Sequence, residues 1–253
     1  MLNDIINSCN YLLNNFPEAE YCRDYINSRL NSKSQELFKF GYFPSINNFK
    51  VLTDMVGEDI LRKEKLFYSK VIEDSLCQRT INFGHFDNHP LIMPFHDTYG
   101  NVVAIVGRSL LNDNERKALK IDKYKNTTDF KKSQYLFGLY ENKQSILDQN
   151  CAYIVEGQFD VIKALEKGYT NIVALGSANM SSYQFSVISR YTNNIFLLLD
   201  NDVAGEKGRK SIISKFGKLA NIQNFFLPDC YKDIDEYLTK SDGDNHLDFL
   251  IKN

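Results

Sequence analysis

From Cys151 onward the chain alternates four times between a short apolar run and a stretch with helical spacing. The runs are CAYIVE, NIVAL, NIFLLLD and NIQNFFL. The helical stretches run from Asp160 to Lys167, onward from Ser181 and Ser182, from Val203 to near Gly217, and from Asp235 to Thr239. Strands separated by helices of this length pair through crossovers, which makes the sheet mainly parallel. Both faces of such a sheet are covered, so its strands are apolar throughout. In these sheets ligands gather beyond the carboxyl ends of the strands. Here those ends carry acids. Glu156 closes the first strand, Gly176 and Ser177 follow the second, Asp200 and Asp202 follow the third, and Asp233 and Asp235 come shortly after the fourth.

Each acid alone has an ordinary explanation, because Asp at a strand end forms turns and caps helices, and Asp202 by itself reads as a cap. Gathered on one rim, the carboxylates would repel and raise one another's pKa values unless positive charge lay among them, and divalent metal is the usual solution. An all-oxygen donor set without clustered His or Cys favours Mg²⁺ over zinc. Two such ions would clamp the attacking and leaving oxygens of a phosphoryl transfer.

The rest of the chain narrows the class. Its 253 residues suffice for one large or two small domains. No apolar run approaches the ~20 residues of a membrane span, and MLNDIINSCN has no signal-peptide pattern, which places the chain in a cytoplasm. Five widely spaced cysteines, Cys9, Cys22, Cys77, Cys151 and Cys230, form no C-x-x-C pair, so they read as buried thiols rather than as disulfides or a zinc module. Of the histidines, His85 and His89 lie in the turn-rich GHFDNHP, which explains itself without a metal; His96 and His246 stand apart. A net charge of −2 gives no global mark of a nucleic-acid binder. Locally the picture differs: Asp113 to Lys132 holds seven basic residues (Arg116, Lys117, Lys120, Lys123, Lys125, Lys131, Lys132) against four acids, with Tyr124 and Phe130 interleaved. A solvated loop and a phosphate-binding stretch are both open readings of it. Upstream, Leu91 to Leu110 alternates as a β-hairpin about a turn at Asp97 to Asn101.

EGQFDVI (156 to 162), ALGSANMS (174 to 181) and DNDVAGEKG (200 to 208), in that order, resemble the three signatures of the topoisomerase–primase (TOPRIM) domain, in the version found in bacterial DNA primases. KDIDEYL resembles the primases' further acidic motif, with Ile234 where proline is usual. In the first half, YINSRL, QELFKFGYFP, LIMPFHDTYGNVVAIVGRSL and DKYKNTTDFKKSQYLFGLYE are similar to primase segments. The match spans residues 20 to 240. The resemblance implies an N-terminal mixed α+β lobe, residues 1–148, and a TOPRIM lobe, residues 149–253, with single-stranded template between them. It implies a DNA-dependent primase that joins NTPs into short RNA primers by two-metal nucleotidyl transfer. Glu156, Asp160, Asp200 and Asp202 would be catalytic; Glu156, Asp200, Asp202, Asp233 and Asp235 would hold two or more Mg²⁺ ions, with Mn²⁺ able to substitute and no zinc. Arg29, Arg108, Lys123 and Lys132 would touch template, primer or triphosphate. Neither the family's zinc ribbon nor its helicase-binding domain is expected here, so a helicase, a single-strand-binding protein or a zinc-ribbon protein would act in trans. A TOPRIM nuclease, which needs no triphosphate-binding cations, and a catalytically lapsed nucleic-acid-binding subunit are the alternatives.

Overall fold

The first helix, Leu2–Asn15, buries Ile5, Ile6, Cys9, Leu12 and Leu13, which the helical repeat places on one stripe. That stripe packs against the strands of the first of two units. The computed structural model describes residues 1–74 and 77–240, apart from the side chains at 73, 74, 77 and 78; His246 lies outside the described residues. Contacts divide the chain into Met1–Phe95 with Val102–Phe130, and His96–Asn101 with the chain from Lys131 onward.

The first unit contains β1 (Gly41–Tyr42), β2 (Phe67–Asp74), β3 (Cys77–Gly84), β4 (Leu91–His96), β5 (Val102–Arg108) and β6 (Tyr124–Asn126). One sheet has the order β1–β4–β5–β6, and β2 pairs with β3 as a separate two-stranded ribbon. The ribbon is rooted in an aromatic cluster in which Phe49 stacks on Phe67 at 4.9 Å and Phe43 meets Phe86 edge-on at 5.3 Å. The hairpin about Asp97 to Asn101 forms as the alternation predicts. Asp97 Oδ1 accepts from the N–H groups of Tyr99 and Asn101, which fixes the turn. Both histidines of GHFDNHP donate to backbone carbonyls: His85 Nε2–H to that of Asn126 at 2.8 Å and His89 Nε2–H to that of Asp122 at 2.9 Å.

The second unit holds β7 (Ala152–Val155), β8 (Ile172–Ala174), β9 (Asn194–Leu197) and β10 (Asn221–Asn224) in the order β10–β9–β7–β8, every pair parallel. Ile154, Val173, Leu197 and Ile195 are buried between the flanking helices, as an apolar parallel sheet requires. The helices are Gln158–Glu166, Ser182–Ile188, Val203–Phe216 and Ile234–Lys240. Phe137 exchanges both backbone hydrogen bonds with Ala174 and so covers the β8 edge. The thiols are less uniform than the sequence suggests. Cys9 and Cys22 are buried, Cys151 is half-buried, and Cys230 is exposed because it sits in the loop that follows Pro228 rather than on an element; the side chain of Cys77 lies outside the described residues. Among the described residues no helix is long and apolar enough to cross a membrane.

Candidate metal centre and nucleic-acid interface

All four parallel strands end on one edge, and backbone hydrogen bonds tie the acids there into a single cluster. Glu156, one residue past β7, accepts from the N–H of Asp200 at 3.2 Å, which joins the first and third strand ends. Asp160, in the first turn of helix Gln158–Glu166, accepts from Gly157 N–H at 2.9 Å with one oxygen and from Asp235 N–H at 3.1 Å with the other. The first and last motifs are thereby linked. Asp202 caps helix Val203–Phe216 through the N–H groups of Ala204 and Gly205, both at 2.9 Å. Asp233 caps the last helix through Glu236 N–H at 2.8 Å.

Two glycines set how close the capped helix comes. A Cβ on Gly205 would lie 2.1 Å from the Asp200 carbonyl oxygen and 3.1 Å from Glu156 Oε1, and one on Gly208 would lie 2.1 Å from the carbonyl of Ala178. The spacing in AGEKG is therefore a docking device that seats the helix directly on two of the motif loops.

The same geometry concentrates negative charge. Burial, then the charges of Asp233 and Asp200, pushes Asp160 up to about 8, although two backbone N–H groups favour its charged form. Burial, then Glu156 and Asp233, pushes Asp200 up to about 7. Glu156 is raised by burial first and by Asp202 among its neighbours. Lys232 and Arg209 act in the opposite direction.

Two positioning residues were missed by the sequence reading. Asn201, the middle of D-N-D, donates its side-chain amide to the carbonyls of Leu227 and Tyr231, each at 3.0 Å, and its N–H to that of Lys232. It fastens the loop that carries Asp233 to the third strand end. Arg209 is buried, donates to the Leu199 carbonyl and lies 4.9 Å from the Phe226 ring centroid. In GEKGRK the glycines, Gly205 and Gly208, are the sequence signal that this face of the helix is packed.

A divalent metal fits the chemistry of this donor set: the cluster is all carboxylate, it runs from exposed Asp202 through half-buried Glu156, Asp200 and Asp233 to buried Asp160, and Asp200's carboxylate accepts no hydrogen bond from the described residues. Among the described residues no three His, Cys, Asp or Glu side chains converge closely enough to hold an ion as they stand. Asp202 and Asp160 instead turn oxygens toward backbone N–H groups, so loading requires side-chain rotation at the rim.

In the first unit, three of the four predicted phosphate contacts come together on two tyrosine rings. Arg108, buried at the end of β5, lies 5.3 Å from the ring of Tyr25 and 5.2 Å from that of Tyr124, and donates to the Tyr124 hydroxyl. Arg29 lies over the other side of the group, 5.8 Å from the Tyr25 ring. Lys123 lies 5.8 Å from the Tyr124 ring. The stretch read as a possible solvated loop is ordered: Asn112 and Glu115 form a capping box for helix Asp113–Leu119, and Tyr124–Asn126 is β6, with Tyr124 opposite Arg108. Lys132 stands elsewhere, in the second unit, where its ammonium donates to the Gly176 carbonyl at 2.7 Å. Its neighbour Lys131 is exposed.

A parallel sheet with carboxylates beyond its first and third strands is the plan of a Toprim-like domain, and residues 153–238 match the Toprim-like family model. Residues 10–143, more than half of the chain, match the model of the DNA primase catalytic core, N-terminal domain. The chain belongs to the family of DNA primase catalytic cores. It is 31% identical over 252 residues to a DNA primase of Aquifex aeolicus, covering 96% of this chain and 47% of that protein. It is 30% identical over 249 residues to a DNA primase of Synechococcus elongatus, covering 93% and 34%. A crystal structure of the Aquifex aeolicus primase, comprising its zinc-binding and RNA polymerase domains, superposes with a TM-score of 0.77 at 30% identity, covering 99% of this chain and 59% of that one. The chain spans about half the length, or less, of these curated relatives. Membership of this family goes with divalent-metal use, for which the acid rim has the donors.

Proposed function

We propose that the chain is a primase catalytic core that reads single-stranded DNA and joins ribonucleotides into short RNA primers. The observation that carries this reading is the rim itself: five carboxylates from three motifs, two of them driven toward neutrality by burial and by one another, in a chain whose other unit gathers two arginines and a lysine on tyrosine rings. Glu156, Asp200, Asp202 and Asp233 would hold the ions, and Mg²⁺, or Mn²⁺ in its place, suits their hard oxygens. Bound metal supplies Lewis acidity that eases deprotonation of the primer 3′-hydroxyl and neutralises charge on the departing pyrophosphate. The chain's own residues do the positioning. Asp160 holds the backbone of the last motif, Asn201 holds the loop before it, and Arg209 screens the rim from the helix side. Arg29, Arg108 and Lys123 hold phosphates of the template or of a nucleotide. The setting is a bacterial or phage-infected cytoplasm.

A chain of net charge −2 has little long-range attraction for DNA. A partner that also grips the strand, such as a helicase, a single-strand-binding protein or a zinc-ribbon protein, raises the local template concentration and should stimulate synthesis ~10²-fold. The test is incubation with single-stranded DNA, labelled NTPs and Mg²⁺ or Mn²⁺, with and without such partners. New short RNA products support the reading. Shortened DNA without NTP consumption would identify a nuclease, and neither product under any metal would identify a binding subunit.

A further inference from the structure

The ribbon of β2 and β3 carries a run of apolar side chains that the core of the first unit does not absorb. Register places Tyr68 opposite Phe83, Lys70 opposite Ile81, and Ile72 opposite Arg79, so these six side chains share one face. Tyr68, Ile72, Ile81 and Phe83 are each about 40% exposed, and Lys70 and Arg79 are exposed beside them. A two-stranded ribbon with an uncovered apolar face is marginal in water and calls for a covering surface. Alternating aromatic, cationic and aliphatic groups at the two-residue step of a strand, ~6.7 Å, suit a chain that offers a flat base and a phosphate at each repeat.

The root of this face also lies beside the end of β6. The Tyr68 hydroxyl lies 3.2 Å from Thr128 Oγ1 and 3.4 Å from His85 Nδ1, and His85 Nε2 lies 2.8 Å from the carbonyl of Asn126. Asn126 ends β6, the strand that begins with Tyr124 and has Lys125 between them. A polynucleotide held at Arg108 and Tyr124 and running along β6 therefore arrives at Tyr68.

We infer that the exposed β2–β3 face is a second, single-stranded nucleic-acid subsite, which extends the Arg29–Arg108–Lys123 interface along the strand by stacking bases on Tyr68 and Phe83 and pairing phosphates with Lys70 and Arg79. This rests on the template-binding reading above and adds a surface to it. The probe is a fluorescent oligothymidylate of about 20 nucleotides, with anisotropy read across a salt series on the full chain. Replacing Phe83→Ala should weaken binding ~10-fold, the range of one lost base–aromatic stack. Lys70→Ala with Arg79→Ala should lower the slope of log affinity against log salt by ~1.4, two single-strand phosphate contacts. An oligomer of about four nucleotides, too short to reach both surfaces, should bind these variants as it binds the parent. Thermal melting checks that the variants are folded, and Ile81→Ser, which also keeps the ribbon's backbone pairing, gives an independent probe of the same face. If the long oligomer binds all variants like the parent while Arg108→Ala weakens it, the ribbon face is not a subsite and the template reading stands. If the variants instead abolish a concentration-dependent dimer seen by sedimentation, a second copy is the occupant and the inference is overturned. If the parent binds no single-stranded DNA, the underlying reading fails with it.

Discussion

The acid rim of the second unit and the basic group of the first solve opposite charge problems by different means. On the rim, Glu156, Asp160 and Asp200 are brought together and partly buried, and Lys232 and Arg209 offset the result only in part; burial and mutual repulsion still push Asp200 up to about 7 and Asp160 up to about 8. In the basic group, Arg29, Arg108 and Lys123 lie 5.2–5.8 Å from the rings of Tyr25 and Tyr124, whose electron-rich rings and, for Arg108, the Tyr124 hydroxyl favour the cations. The rim as it stands is therefore strained, which the proposed cations would relieve, whereas the basic group is at rest without the proposed phosphate. The contrast teaches that site residues can weaken or strengthen a fold according to whether their counter-charge is built in or supplied from outside.

The largest expected effect breaks the contrast on the acid side. Asp200→Asn removes a charge but keeps the shape, so primer synthesis should fall ~10³-fold, while the melting temperature without metal stays equal or rises. A variant that still primes would remove Asp200 from the metal set. Next comes Gly205→Ala, whose new methyl must displace the Asp200 carbonyl; a loss of about 1–3 kcal/mol by denaturant titration is expected, with activity falling alongside. On the basic side, Arg108→Ala should weaken template affinity ~10-fold or more and lower the salt slope by ~0.7, as for one phosphate contact. Arg108→Lys should restore little of the affinity, since a point charge does not reproduce a guanidinium held between two rings.

The pH dependence sharpens the comparison further. Asp200 titrates near 3.8 when unfolded and near 7 when folded, so between those values the native state keeps a proton that the unfolded state has lost. Stability in chelator should fall as pH rises through that window, with Asp160 extending the fall toward 8. Asp200→Asn should flatten the slope, and Mg²⁺ should reverse it; melting curves at several pH values read both. The smallest effect separates the two jobs of Asp202. Asn caps a helix as well as Asp, so Asp202→Asn should leave stability unchanged, whereas Asp202→Ala should lose ~1 kcal/mol; both should lose activity.

Much of this was legible in the sequence because its signals are local. Four runs and the helices between them point to the parallel sheet, and acids at the ends of the first and third runs and shortly after the fourth mark the rim. Arg29 and Arg108 were found only through the family resemblance, and Lys123 through it and the local run of basic residues; the part of Tyr25, which lies near both arginines, is not written in its own neighbourhood because Arg108 comes from a distant strand. Arg209 and Asn201 were hidden for a related reason: their roles are set by loops from distant parts of the chain, and nothing in the neighbouring residues records those partners. The β2–β3 ribbon was also invisible. FYSKVIEDSLCQRTINFG alternates poorly in polarity, in keeping with the exposure of side chains such as Val71 and Ile72 on both faces, and it contains no Asn-Gly or Asp-Gly to announce a hairpin.

The turn at His96–Asn101 has its own implication for anyone wishing to divide the molecule. It arises between two strands of the first unit, yet it belongs by its contacts to the second, where His96 meets the buried carboxylate of Glu141 at 2.8 Å and Lys143 donates to the Thr98 carbonyl. The polypeptide thus enters the second unit, leaves it and enters it again. A single cut after Phe130 would give a carboxyl-terminal fragment in which Glu141 has lost its imidazole and helix Leu139–Gln149 has lost its staple. Such a fragment would need a grafted turn to replace what linear truncation discards, and the two halves are better exchanged between homologues as a pair of interleaved segments than as successive blocks.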